Sequence, residues 1–461
     1  MSNSPKKLPF SAKLSYGLGG YAEHNLNNTI NMMANPILNV TLGVSPALVG
    51  IVLAAPRFWD AFTDPLMGGI SDRWNSKYGR RKPFIFIGGM LSALFFVLLW
   101  MMPRGMTEMQ YFSYFLITSL LFYTCFTVFG VPYYALGFEM SSNYGERTEI
   151  QTYRSIFSFI SGFAVQWTFW LIQRDVFSDS LDGMRWVAGG SSLIIVGCII
   201  LTVIYCSERT QDPVSKEKYS ILSSFMTTLS CRPFLIIIGV IVSVLFGILL
   251  VMQMALYINI YYVYGGNAQE ASVMFGIVGT TFNIVNFMAI PLVCYLANRF
   301  GKRKILIIIL SMAAMGSLSK WVCYNPVMPY LQLIPAVLTA PGLGAVWGVA
   351  FAMIADVCDY DEFKHGSRRE GMFGAVQNWA NKLSVSISLL CAGFILQMTG
   401  FDASIDGPQS AETITMMRAL DSFIPALAVG GACLLLIYYP LSTSKVQRIQ
   451  SILRYRNARK I

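Results

Sequence analysis

Charged residues are scarce in this chain: only 13% of its 461 residues are Asp, Glu, Lys or Arg, about half the share of a soluble protein. So few charges cannot keep a surface of this size in water, which excludes an ordinary soluble globular protein. Histidine is scarcer still, with two in all, His24 and His365. Neither belongs to an H-E-x-x-H pair, and the chain contains no phosphate-binding glycine loop and no G-x-S-x-G turn. A catalytic constellation is therefore lacking, and an enzyme is the least favoured class. The nine cysteines form no C-x-x-C pair. Cys125, Cys198, Cys294, Cys391 and Cys433 lie inside apolar stretches, where thiols act as small hydrophobes. No disulfide framework, metal site or cofactor is expected.

What the chain has in quantity is apolar length. Hydrophobic residues make up 55% and aromatics 14%, and the apolar residues recur in runs, most of them long enough for the roughly 20 residues that cross a bilayer. The expected spans lie near 14–42, 46–70, 84–103, 110–138, 150–173 and 186–206, and again near 233–263, 272–297, 305–323, 328–355, 371–397 and 415–440. A longer polar stretch, 207–232, divides them. The expected organisation is a six-helix bundle over 1–206, a cytoplasmic central loop with a short surface helix at Ile221–Met226, a second bundle over 233–440, and a basic tail over 441–461. Met1 to Lys13 is polar and basic, without the apolar core of a cleaved signal peptide, so the first span is expected to act as the insertion signal.

The net charge of +10 does not point to nucleic acid, because the basic residues sit in short loops between apolar runs. With the N-terminus placed inside, 26 of the 34 lysines and arginines fall on the inner side. That bias orients a membrane protein with both termini in the cytoplasm and an even number of spans. The two halves also echo one another. After the second span comes Gly69-Ile-Ser-Asp72-Arg73, then Gly79-Arg80-Arg81-Lys82; after the eighth comes Ala297-Asn298-Arg299-Phe300-Gly301-Lys302-Arg303-Lys304. Parallel repeats of a rocking transporter leave such a pattern, and so do two ordinary positive-inside loops.

Ionisable residues inside spans cost about 2.5 kcal/mol or more each, so each is a functional candidate. Span 2 holds Arg57, Asp60 and Asp64 at helical spacing on one face. Two carboxylates one turn apart can hold a cation or share a proton; alternatively Arg57 neutralises Asp60 and the group binds helices together. Span 1 carries Glu23 and a stripe of His24, Asn28, Asn31 and Asn35, with Asn27 beside it. Such a stripe lines a polar cavity, since Asn both donates and accepts, or serves interhelical hydrogen bonding. Arg154 in span 5 and Lys382 in span 11 each require a carboxylate or a polar or anionic substrate. Trp347 in span 10 can stack on a sugar or simply pack. Lys320, near an outer helix end, is expected to snorkel, and the glycines at 17–20 and 342–348 suit close helix approach.

At these residues the chain resembles the glycoside–pentoside–hexuronide:cation symporter family of the major facilitator superfamily, typified by the melibiose permease. The resemblance runs through almost the whole chain. It rests on Arg57-Phe-Trp-Asp60-Ala-Phe-Thr-Asp64-Pro65-Leu-Met-Gly68 with Ser71-Asp72-Arg73, and on Val131-Pro132-Tyr133-Tyr134-Ala135-Leu136 with Glu146-Arg147-Thr148. A third piece is Ala355-Asp356-Val357-Cys358-Asp359-Tyr360, leading to Arg368-Arg369-Glu370-Gly371-Met372. The resemblance implies an all-α membrane protein of the major facilitator fold, with about twelve helices in two pseudo-symmetric six-helix bundles. It also implies symport of a sugar with Na+ or H+ in a bacterial cytoplasmic (inner) membrane. By this resemblance Asp60, Asp64 and Thr127 form the cation site, Arg154 and Lys382 belong to the sugar and coupling region, and Tyr134 and Trp347 are aromatic sugar contacts.

Two departures bear on specificity. Gly130 stands where the type member has a span 4 aspartate, and His24, beside Glu23, stands where it has a sugar-binding aspartate. Fewer carboxylates weaken the expectation for sodium and lean towards an anionic sugar. At the inner face Arg73, Arg80 and Arg81, next to Asp72, are expected to latch the halves to Glu139, Asp356 or Asp359. The expected partners are thus a small sugar, a monovalent cation and membrane lipid, with no nucleic acid and no obligate protein partner. A lysolipid-type symporter and a transport-dead sugar sensor are the alternatives.

Overall fold

The computed structural model describes residues 8–141, 143–208, 228–366, 370–402 and 409–458. The expected surface helix at Ile221–Met226 and most of the central loop, like Arg368 and Arg369, lie outside the described residues. Among those described there is no strand. The chain runs through α1 (Phe10–Ala34), α2 (Pro46–Arg73), α3 (Lys82–Trp100), α4 (Glu108–Glu139), α5 (Tyr144–Ile172) and α6 (Ser180–Tyr205). It continues through α7 (Arg232–Tyr257), α8 (Ala268–Phe300), α9 (Lys302–Cys323), α10 (Leu333–Ala345), α11 (Phe351–His365), α12 (Glu370–Met398), α13 (Ala411–Ile437) and α14 (Thr443–Ala458).

Local sequence sets the ends. Thr107 and Gln110 form a reciprocal cap at the start of α4, and the side chains of Asn143, Asp179 and Ser410 accept from the first turns of α5, α6 and α13. These caps satisfy amides that a helix start leaves open. Proline fills the first turn of α2, α3 and α7, where its missing N–H costs nothing. Wider π turns extend α1 over Asn35–Thr41 and α7 over Ile258–Val263, and a third, Val346–Ala350, joins α10 to α11. The helical run that begins at the expected span near 328–355 continues to His365, beyond its apolar stretch. Much of the basic tail is the polar helix α14.

Among the described residues ten helices are long and apolar enough to cross a membrane; α1 and α2 are not among them. These two carry the asparagine stripe and the carboxylate pair, so the polar residues that point to function also weaken the spanning signal. Leu193, Leu427, Phe62 and Met288 are among the large apolar side chains left exposed, as a lipid-facing surface requires.

Two compact units result. The first contains α1 to α6 together with residues 268–276, and the second contains the remainder of α8 and the other helices. In the first, α1 lies close against its neighbours through glycine. A Cβ at Gly17 would stand 2.6 Å from Phe157, one at Gly19 would stand 2.5 Å from Tyr133, and one at Gly20 would stand 2.7 Å from Arg154. The second packs Phe234, Ile237, Ile241 and Val244 of α7 into one buried cluster with Leu306 and Leu310 of α9 and Val429 and Leu436 of α13.

The units repeat each other in side-chain chemistry as well as in helix order. Gly79 before α3 and Gly301 before α9 both have positive φ, 107° and 97°, a conformation that favours glycine. At the other ends of these helices, Arg185 of α6 donates to the carbonyls of Trp100 and Met102, while Arg418 of α13 donates to that of Trp321 at 2.6 Å. Each arginine thereby satisfies a helix terminus that would otherwise lack a donor.

Candidate functional site

The carboxylate pair of α2 meets α4 at one hydroxyl. Thr127 Oγ1 lies 3.0 Å from Asp64 Oδ1 and 3.3 Å from Asp60 Oδ1, and the Thr63 hydroxyl is 3.4 Å away. Asp60 and Thr127 are buried. One hydroxyl proton serves only one carboxylate at a time, so oxygen acceptors outnumber the donors it supplies. Arg57 stands 3.8 Å from Asp60 Oδ2. The same guanidinium also donates to Asn27 Oδ1 and lies over the Tyr123 ring at 4.6 Å. By formal charge Arg57, Asp60 and Asp64 together carry one net negative charge. The asparagine and the ring share Arg57, so the reading in which it simply neutralises Asp60 captures only part of its bonding.

Beside Thr127 on α4 is Gly130, one turn further along. A Cβ there would meet nothing nearer than Phe126 at 3.9 Å, so the place has room for a side chain that this sequence does not supply.

A second polar cluster forms where α1, α4 and α5 converge. Arg154 lies over the Tyr134 ring at 4.3 Å and reaches Gln151 Oε1 at 3.4 Å. The Glu23 carboxylate, nearly buried, faces both the Tyr134 hydroxyl and the Arg154 guanidinium. His24 Nδ1 stands 3.3 Å from Ser161 Oγ. The expected residues Glu23, His24, Tyr134 and Arg154 are thus brought together in one unit. From Tyr21 to the end of α1 the partly exposed positions are Tyr21, His24, Asn27, Asn28 and Asn31, while the residues between them are buried. Asn28 and Asn31 each donate one bond back to their own helix, to the carbonyls of His24 and Asn27 at 2.9 Å. Asn35 is buried in the π turn.

Trp347 and Lys382 belong to the second unit. Trp347 is 47% exposed and lies 5.1 Å from the Phe351 ring. Lys382 is half-buried on α12, and its carbonyl accepts from Ser386 at 2.8 Å.

Of the acids expected to meet the basic residues before α3, Glu139 is the one that Arg80 and Arg81 reach within the first unit. Arg81 is clamped by Glu139 at 2.6 Å and by Asp72 at 2.7 Å, and it donates to Ser71 at 3.1 Å. Arg80 also reaches Glu139 at 2.6 Å. All of these belong to one unit, so the network ties the α2–α3 turn to the end of α4. Burial works against the charge on Arg81, but Glu139 and Asp72 outweigh it and hold its pKa above the usual arginine value. Arg73 is exposed at the end of α2. Asp356 takes Lys302 at 2.7 Å and Asp359 takes Gln450 of α14 at 2.9 Å. Lys302–Asp356 is the second unit's counterpart of Arg80/Arg81–Glu139.

Two features escaped the sequence reading. The Glu208 carboxylate accepts the backbone N–H groups of Arg80, Arg81 and Lys82 at 2.5–2.9 Å, placing negative charge at the start of α3 where the helix dipole favours it. Its only sequence signal was an acid at the edge of a basic loop. Lys320 does not snorkel as expected; it pairs with Asp421 of α13 at 3.1 Å. Asp421 itself was the neglected signal, an acid inside an apolar run.

The model of the MFS/sugar transport protein family matches residues 15–443. The chain belongs to that family. It lies within the superfamily that the motifs of α2, α4 and α11 resemble. An uncharacterised symporter of Synechocystis sp. is 24% identical, with 96% of each chain covered. The isoprimeverose transporter of Lactiplantibacillus pentosus is 23% identical over 96% of this chain and 90% of its own. The sodium-dependent lysophosphatidylcholine symporter 1 of Gallus gallus is 24% identical over 96% and 88%. Among solved structures, a D-xylose–proton symporter superposes with a TM-score of 0.68 at 16% identity, covering 95% of this carrier and 99% of that chain. The carrier has the all-α major facilitator fold and is an integral protein of the bacterial inner membrane, as its apolar helices and bacterial relatives indicate.

Proposed function

We propose that the carrier moves a glycoside, pentoside or hexuronide together with Na+ or H+ by alternating access. In this reading it has twelve spans, both termini are cytoplasmic, and the bundles 1–206 and 233–440 flank a cytoplasmic loop over 207–232, with 441–461 as tail. The convergence of Asp60 and Asp64 on the Thr127 hydroxyl carries the proposal, since it gathers the oxygens a cation or proton needs, and carboxylates are costly enough inside a bilayer to require a use. Glu23, His24, Asn28, Asn31, Tyr134, Arg154, Trp347 and Lys382 bind the sugar. If each ligand stabilises the same occluded state, their affinities rise together. The cations Arg154 and Lys382 favour a uronate or another anionic sugar over a neutral one.

The test is uptake of radiolabelled sugars into vesicles under separately imposed sodium and proton gradients. Accumulation driven by one gradient identifies the coupling ion, and uronates that compete better than neutral glycosides support the anionic preference. The avian relative gives a lysolipid reading a specific basis, so uptake of lysophosphatidylcholine with no uptake of any sugar would replace the sugar assignment. The polar face of α1 argues against that outcome.

Gly130→Asp checks the cation site directly. The substitution places a carboxylate one turn from Thr127 in open space, adding oxygens of the kind a hard cation prefers. Sodium activation of uptake should strengthen by roughly tenfold, or about 1.4 kcal/mol. An unchanged sodium curve would mean that position 130 does not face the cation.

A further inference from the structure

The second unit contains an ion pair that the proposed cation and sugar sites do not use. Lys320 Nζ, near the end of α9, lies 3.1 Å from Asp421 Oδ1 on α13, with side chains 16% and 1% exposed. The second oxygen of Asp421, Oδ2, is buried and has no hydrogen-bond partner among the described residues. A buried carboxylate normally fills both oxygens, and an ionisable pair inside a span is costly enough to require a use.

The repeat supplies an internal control. Arg185 and Arg418 mark equivalent places, since each donates to the carbonyl of a tryptophan near the end of the neighbouring helix. Counted from those residues, Lys320 corresponds to Leu99 and Asp421 to Ala188, and both of these are fully buried. The first unit therefore builds the same helix junction, α3 against α6, from apolar side chains. The junction does not need a charge, and exchanging a buried ion pair for well-packed apolar groups generally leaves stability intact.

We propose that Asp421 is a proton-binding site of the second unit. Its open Oδ2 takes a proton from hydronium, releasing water, and the neutral acid then lets go of Lys320. Oδ2 is sealed from solvent in this conformation, so proton exchange requires the site to open and is tied to conformational change. The groups that face the carboxylate are few. Lys320 comes from α9, and Tyr324, almost buried just after α9, lies beside it. On α13 itself Arg418 is one turn away, occupied by the Trp321 carbonyl and by the Tyr262 and Trp321 rings at 4.2 and 4.9 Å. Between Arg232 and Tyr257, the residues of α7 are uncharged, and α10 contributes no ionisable residue.

Infrared difference spectroscopy on the purified full-length carrier in lipid tests this without any sugar, so its result is independent of the proposed symport. The readout is the carbonyl stretch of a neutral carboxylic acid after an acid pH step. A component of that band should persist in Asp60→Asn/Asp64→Asn and be lost in Asp421→Asn. It should be lost equally in Lys320→Leu/Asp421→Ala, which copies the Leu99 and Ala188 arrangement and should unfold at the wild-type temperature. A band untouched by either Asp421 variant would overturn the assignment. So would a double variant that fails to fold, because the pair would then be a structural requirement.

Discussion

Asp60→Asn combined with Asp64→Asn is expected to abolish gradient-driven accumulation while leaving a folded carrier. The two carboxylates supply the negative charge of the proposed cation site, and Thr127 can hydrogen-bond to an amide as well as to an acid. The fold should therefore survive and the charge should not. Losing a charged, buried partner typically costs 2–5 kcal/mol, so cation affinity should fall by at least about thirtyfold. Coupling is reciprocal, and sugar affinity measured in saturating cation should drop by the coupling factor alone, roughly 5- to 150-fold. Sugar affinity in the absence of cation should barely change. That split separates a cation ligand from a residue that merely packs, since a packing defect would weaken both measurements together. If the variant accumulates sugar as wild type does, these carboxylates are structural and the coupling mechanism fails.

Several parts of this molecule were legible before any coordinates because they are costly in a bilayer. Asp60, Asp64, Arg57, Arg154 and the asparagines of α1 stand out against apolar runs, and their spacing alone places them on shared faces. The Gly79 and Gly301 loops were readable for a related reason: glycine followed by clustered cations marks a tight turn between two spans. What could not be read is which partner each charge finds. Arg80, Arg81 and Glu139 are far apart in sequence, and only the packing of α2, α3 and α4 shows that they close a network within one unit. Glu208 was illegible for the same reason, as its role lies in three backbone amides at a remote helix start. Lys320 misled because its position near a helix end satisfied the rule for snorkelling; the decisive residue, Asp421, lies on another helix. Sequence thus reveals the expense of a buried charge, whereas tertiary structure reveals how that expense is met.

The inner-end network gives the largest expected loss of stability. Glu139→Gln keeps the shape of the side chain but removes the charge shared by Arg80 and Arg81. The Arg81 side chain is 6% exposed, so its charge would be left largely buried with Asp72 as the remaining acid. Breaking a buried pair from one side costs about 3–5 kcal/mol, and Asp72, which is well exposed, offsets only a little of it. A loss of about 3 kcal/mol is expected, read as a lower unfolding temperature of the purified carrier and little changed by added salt, because buried charges are weakly screened. Asp356→Asn makes the comparison in the other unit. Its partner Lys302 is 30% exposed and can turn to water, so the cost there should be about 1 kcal/mol, near that of a surface pair. Equal losses at the two sites would mean that burial does not set the strength of these networks. A larger loss at Asp356 would place the rigid inner end in the second unit instead of the first.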